Sequence, residues 1–215
     1  PLDLSQEAID RIVPKVAESL FIAWAGTVIG AVFSFPVSFL AANNTSINAI
    51  SRVTKQILNI IRAFPELILA FVLLPVTGLG PLTGTLAVGI HSIGTLGKLS
   101  SEVIEGIDEG PLESIKSSGG SKLNELFFGV VPQVMPTITS YWLYRFEINL
   151  RASAVLGVVG AGGVGAELIN QLRFRDFPRA GTVLVVTILM VLIVDTCLLY
   201  TSDAADDTPC VDLGG

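Results

Sequence analysis

The chain has 215 residues, 51% of them hydrophobic and 15% charged, with a formal net charge of −6 and a mean hydropathy of +0.68. A soluble domain carries about 25% charged residues, so this composition excludes a water-soluble globular fold and indicates one membrane domain. With one histidine in the chain, no pair exists to build a histidine metal centre.

Pro1 opens the chain, and no signal peptide with a basic start and a small-residue cleavage site is visible, so the N-terminus reads as a fragment end. Residues 1–16 are polar with apolar positions at Leu4, Ala8, Ile12 and Val13, a short amphipathic helix suited to a membrane surface. Ser19 to Ala42 carries no charge and is long enough for the roughly 30 Å hydrocarbon core. Pro36 is expected to kink this first span. Asn43-Asn44-Thr45-Ser46 ends it, and a polar linker holding Arg52 and Lys55 follows.

Leu67 to Gly97 is again uncharged but too long for one span, and Gly78-Leu79-Gly80-Pro81 divides it as a turn. The second span must therefore begin near Ile57 and pass through Arg62, Pro65 and Glu66. The third runs from Leu82 to Ile104, with Gly84, Gly89, Gly94 and Gly97 allowing close helix packing. His91 lies within it and reads as a buried hydrogen-bonding group. Lys98 and Glu102 are spaced as a helical pair.

The longest polar interval between apolar blocks is Gly110 to Pro132. Gly110-Pro111 stops one helix and starts another, and Glu113 falls in the first turn, where a carboxylate suits the dipole. Gly119-Gly120 breaks that short helix. A second is expected from Ser121, with Leu123, Leu126 and Phe127 on one face. The fourth span starts near Val131 and contains Pro132, Pro136, Arg145, Glu147 and Arg151. Glu147 and Arg151 stand four apart with the acid first, the favourable order for an ion pair. Arg145 points nearly away from Glu147, so it must take a carboxylate from another helix, with Glu66 a candidate, or face a translocation path.

Gly160, Gly162 and Gly165 formally spell the dinucleotide fingerprint GxGxxG. The preceding element is a membrane helix and the nearest acid, Asp176, is too close, so a glycine bend packed on helices is the better reading. Glu167 to Arg179 is a polar segment, and Ala180 to Val194 starts a fifth span. From Cys197 the residues match translation of the adapter sequence TGT CTC TTA TAC ACA TCT GAC GCT GCC GAC, so 197–215 is expected to be non-native. Both cysteines fall in that tail and carry no redox argument. Without its four acids the chain would hold 13 basic and 15 acidic residues, a net charge near −2. No Walker A sequence, zinc spacing, nucleophile elbow or paired-carboxylate site is present, and no basic patch interleaved with aromatics. The residues describe a polytopic membrane protein with a docking-like loop rather than an enzyme, with no cofactor, no metal and no nucleic-acid partner expected.

Glu113-Ser114-Ile115, then Gly119, then Pro132 resembles in spacing the EAA loop of ABC-importer permeases, the segment that docks into an ATPase subunit. Ser114 and Ile115 stand in place of two alanines, and Val131 in place of a leucine. Arg62-Ala-Phe-Pro-Glu-Leu-Ile-Leu69, His91-Ser-Ile-Gly-Thr-Leu-Gly-Lys98 and Tyr144-Arg-Phe-Glu-Ile-Asn-Leu-Arg151 are similar to the permease subunit of the phosphonate ABC importer. The resemblance implies an all-α polytopic helix bundle of about five transmembrane helices in the bacterial inner membrane, with a cytoplasmic coupling helix between the third and fourth. Residues 17–196 would form the permease domain, with the coupling loop at about 110–130. Glu113, Ser114, Ile115, Gly119 and Pro132 would couple to the ATPase, and Arg145, Glu147 and Arg151 are candidates for the substrate path. The implied partners are a pair of ATPase subunits, an extracytoplasmic phosphonate-binding protein and a second permease copy, all at the lipid bilayer. Basic residues divide equally between the two sides, so the cytoplasmic placement of the loop also comes from the resemblance. That orientation would put Pro1 outside, implying a further span upstream if the parent protein starts in the cytoplasm. Phosphate, phosphite or methionine are alternative cargoes for the same fold, and an ATP-independent channel or carrier is a more distant alternative.

Overall fold

A computed structural model describes residues 6–206, with side chains from 10 to 198. Every regular element among the described residues is helical. Helix α1, Gln6–Ala41, runs through Pro14 and Pro36, so the amphipathic opening segment and the first span are continuous from Gln6. Residues 1–5 lie outside the described residues.

The second span departs from expectation. It is two helices, α2 (Asn48–Ala63) and α3 (Glu66–Thr77), bent by 88° between Ala63 and Glu66. The cause is local. Phe64 precedes a proline and is driven extended (ψ 121), and Pro65 follows at φ −57, ψ 144. Proline also has no N–H to continue the ladder.

Helix α4, Pro81–Glu105, occupies the middle of the bundle and is packed by α1, α2, α3 and α7. Small residues set those approaches. A methyl group at Gly30 of α1 would stand 2.4 Å from Ser92 Cβ. One at Gly94 would stand 2.9 Å from the backbone nitrogen of Arg62, and one at Gly97 2.9 Å from Leu58 Cδ2. These distances exclude a side chain and let the backbones touch.

After α4 come α5, Gly110–Ser117, and α6, Lys122–Asn124. A π-helical stretch, Glu125–Val130, then joins α6 directly to α7, Val131–Leu156. The helix expected from Ser121 is therefore the lower end of the fourth span. Pro132 cannot donate to the i−4 carbonyl, and the wider π register just before it absorbs that loss.

The glycine bend follows a 3₁₀ turn at Gly157–Val159. Gly160, Gly162 and Gly163 take positive φ values of 79, 84 and 73. A methyl group at Gly165 would fall 1.8 Å from the Ala154 carbonyl oxygen, so this is a packed bend and not a phosphate loop. The segment read as merely polar is largely a helix, α8 (Gly163–Arg173), whose Val164 and Leu168 pack with Ile12 and Val183. Helix α9, Phe177–Asp206, is the last. It runs on through Cys197 to Asp206, and residues 207–215 of the suspected foreign tail lie outside the described residues.

By length and composition, α1, the continuous segment Lys122–Arg173 and α9 qualify as spans, with the bent α2–α3 pair a fourth. Helix α4 is the fifth by position rather than by apolarity. The apolar core divides by level. Ala42, Ile104, Val130, Val134 and Ile138 pack at the loop end, and Ala70, Ala87, Val88, Leu156 and Ala161 nearer the other.

Candidate functional site

Two places concentrate polar side chains at defined geometry: the loop at one end of the bundle and a network inside it. The loop is built from the end of α5. Ser118 ends the helix and Gly119 adopts φ +79 with open space where a side chain would stand. Gly119 N–H donates to Lys116 O (3.0 Å) and Gly120 N–H to Ile115 O (2.9 Å). This is a Schellman close, which needs a left-handed residue at that position. Ser114 Oγ donates to Gly110 O (3.1 Å), while Ser114 O accepts from both Ser117 and Ser118 hydroxyls (2.9 Å each).

Ile115 and Leu112 lie against Gly129 of the π stretch, at 3.3 and 3.2 Å from where its methyl would be. Glu113 and Lys116 line a cleft of about 590 Å³ closed on the other sides by Thr45, Ile104, Leu126 and Val130. Ser121 Oγ accepts from Asn124 N–H and starts α6. Leu126 joins the loop-end core, whereas Leu123 and Phe127 are exposed. The three do not share one covered face, because the π register rotates the residues after Asn124.

Four of the five coupling candidates, Glu113, Ser114, Ile115 and Gly119, thus sit together on α5 and its turn. Pro132 sits apart, at the base of α7. The link between the two places is Gln133, which the sequence reading missed. Its Oε1 accepts from Asp108 N–H (3.0 Å), and its Nε2 donates to Asp108 O (3.3 Å) and Gly129 O (2.8 Å). A second tie, also missed, joins α1, α2 and α4. Glu105 Oε1 accepts from Lys55 Nζ (2.6 Å) and Asn43 N–H (2.7 Å), and Asn44 Nδ2 donates to Ile104 O (2.7 Å). Such contacts between residues dozens apart leave no local pattern to read.

Inside the bundle, Arg145 of α7 is buried. Its Nη2 donates to Glu66 Oε1 (3.2 Å) and to His91 Nδ1 (2.5 Å), and its Nε to Ser92 Oγ (3.0 Å). A guanidinium can only donate, so Nδ1 accepts and the ring proton is assigned to Nε2. Glu66 Oε1 also comes within 3.0 Å of Nδ1, so carboxylate and ring share one guanidinium NH₂. Arg145 thus has Glu66 as its partner on another helix. The chain's histidine is a hydrogen-bonding group, as read.

The network continues through Asn149, whose Nδ2 donates to Ser92 Oγ (3.0 Å) and Thr27 Oγ1 (2.8 Å). It thus ties α1, α3, α4 and α7 together at the level of the α2–α3 break. Buried polar groups away from water must be satisfied this way. Arg151 pairs with Glu147 as expected, and Arg151 Nη2 also reaches Asp195 Oδ2 of α9 (3.3 Å). This second cluster is partly exposed. Lys98 and Glu102 pair at 3.1 Å. Among the described residues no group of three or more His, Cys, Asp or Glu is arranged to hold a metal ion.

Residues 34–203 match the family profile described as "binding-protein-dependent transport system inner membrane component". Over 184 residues the chain is 41% identical to a phosphite transport system permease protein of Stutzerimonas stutzeri, covering 85% of this chain and 67% of that protein. It is 42% identical over 182 residues to a phosphate-import permease protein of Mycolicibacterium smegmatis, covering 84% of this chain but only 34% of that protein. Its fold matches the inward-facing methionine ABC transporter MetNI with a TM-score of 0.80, at 20% identity, over 94% of this chain and 99% of that one. The chain therefore belongs to the inner-membrane permease components of binding-protein-dependent transport systems.

Proposed function

We propose that the chain is the membrane subunit of an ATP-driven importer for a compact phosphorus oxyanion, a phosphonate, phosphite or phosphate. The observation that carries this reading is a projecting loop whose helix α5 has no buried residue of its own, in a chain about 40% identical to permeases named for such cargoes. In this reading Glu113, Ser114, Ile115 and Gly119 form the face that receives the ATPase, with the exposed Leu123, Phe127 and Phe128 beside them. Closure of an ATPase pair presses on that face. The Schellman turn keeps α5 and α6 at a fixed angle, and the continuous helix from Lys122 passes the displacement past Pro132 into α7. Arg145, Glu147 and Arg151 border the conduit. Arg145 does so through the half-exposed Glu66 side of its network, Glu147 and Arg151 directly. A second permease copy completes the conduit, and an extracytoplasmic binding protein delivers and largely selects the cargo.

The experiment is reconstitution of the full-length protein with its ATPase subunits and binding protein in proteoliposomes, offered labelled methylphosphonate, phosphite, phosphate and methionine. ATP-dependent uptake of one phosphorus oxyanion, absent without the ATPase, is the expected result. Uptake of methionine instead, or equal uptake without the ATPase, rejects the reading.

A further inference from the structure

We propose that Arg62 is the side chain by which this permease meets the oxyanion in transit, at the deep end of a water-lined polar stripe on α2. The proposal rests on the function argued above and adds to it the place of contact.

Arg52, Asn59 and Arg62 recur at intervals of seven and three, which puts them on one face of α2. All three are exposed. The opposite side carries Val53, Ile57 and Ile60, also exposed and suited to lipid or to another protein. The helix therefore has a polar wall that the rest of the chain does not cover. Depth gives this wall its meaning. The backbone of Arg62 abuts Gly94 of α4. Gly94 lies 13 residues from Pro81 and 11 from Glu105, the ends of that helix, about 20 and 16 Å along the axis. Arg62 is thus near the middle of a hydrocarbon core roughly 30 Å thick.

Several other cations of the bundle are paired. Lys55 pairs with Glu105, Arg145 with Glu66, and Arg151 with Glu147 and Asp195. Glu66, the acid nearest to Arg62 in sequence, is already engaged by Arg145. Arg62 has no ion pair or side-chain hydrogen bond among the described residues. An unpaired guanidinium at that depth has to face water or an anion, because lipid cannot solvate it. It also sits in the last turn of α2, where the helix dipole favours a cation. A guanidinium fork matches two oxygens of a tetrahedral oxyanion. A contact left open to water is weak, as a conduit requires for release.

The test uses the complete transporter in proteoliposomes, with labelled phosphate and methylphosphonate as probes. Arg62→Gln is expected to lower ATP-driven uptake at least tenfold while assembly and basal ATP hydrolysis persist. Arg62→Lys should retain a measurable fraction. If wild type carries neither probe, the functional reading fails first. If wild type carries one and the Gln variant carries it equally well, only the role of Arg62 is overturned. Should the Gln variant not assemble, Arg62→Cys in a chain with Cys197→Ser and Cys210→Ser decides. Labelling by a membrane-impermeant thiol reagent, slowed at least threefold by the transported probe, supports the proposal. An unreactive cysteine, or failure of this variant to assemble as well, identifies a charge paired with a second copy and overturns it.

Discussion

Helices α4 and α5 follow one another in the chain and are opposites in burial. Thirteen residues of α4 are buried, while α5 has none. The first is closed by its own chain: glycines admit α1 and α2, and hydroxyl and amide groups bond across to α7. The second is finished locally by its turn and leaves its outer face uncovered. Stability is therefore concentrated around α4, and α5 is held in shape without being held in place. That division suits the proposed role, in which the loop end moves with another protein while the membrane interior stays intact.

The comparison breaks most severely at Arg145. Arg145→Met removes a buried guanidinium and leaves the half-buried Glu66 without its ion pair, and breaking a buried pair costs up to about 3–5 kcal/mol. The expected outcome is loss of folded transporter from detergent extracts. Arg145→Met combined with Glu66→Leu should recover part of it, as read by thermal melting of the four proteins of the cycle. Gly30→Val comes next, since its first carbon already falls 2.4 Å from Ser92. Overpacking of this kind costs about 1–3 kcal/mol, and the melting temperature should fall without loss of ATPase binding.

Changes at α5 should invert this pattern. Gly119→Leu meets no atom within 4 Å but must hold φ +79, which a β-carbon disfavours by about 1–2 kcal/mol. Membrane level and melting should stay near wild type, while uptake per ATP hydrolysed falls severalfold. Glu113→Lys, which reverses the first-turn charge, should weaken copurification with the ATPase. Normal coupling in both variants would count against α5 as the docking element. Gln133→Ala is the smallest case. It removes side-chain bonds at the Asp108 link worth about 1 kcal/mol each, and a modest loss of coupling with unchanged assembly is expected.

Much of this was legible in the residues. The uncharged runs located the spans, the Gly-Pro and Gly-Gly pairs located α5, and the i, i+4 spacing located Glu147 with Arg151. Arg145 could be assigned a partner on another helix by exclusion alone. Three things were not legible. The break at Pro65 was passed over because prolines at Pro14 and Pro36 lie inside α1 without stopping it. What differs at Pro65 is that the preceding Phe64 is extended rather than helical, and the chain turns there by 88°. The fusion of α6 with α7 depends on a π register that has no composition signature. Gln133, Glu105 and Asp195 act on residues far away in sequence, and a single sequence carries no record of such pairs.

The make-up of α4 has a consequence for biogenesis. Its glycines, serines and threonines, with His91 and Lys98, give it too little apolar surface to partition into lipid by itself, and it does not count as a span by composition. Its extensive contact with α1 supplies what the lipid does not. Helix α1 leaves the ribosome earlier and is apolar enough to qualify as a span by composition. It can therefore wait in the bilayer as the template against which α4 enters. The order of synthesis is thus part of how this bundle reaches its membrane topology, and α4 is inserted as a dependant of a helix made before it.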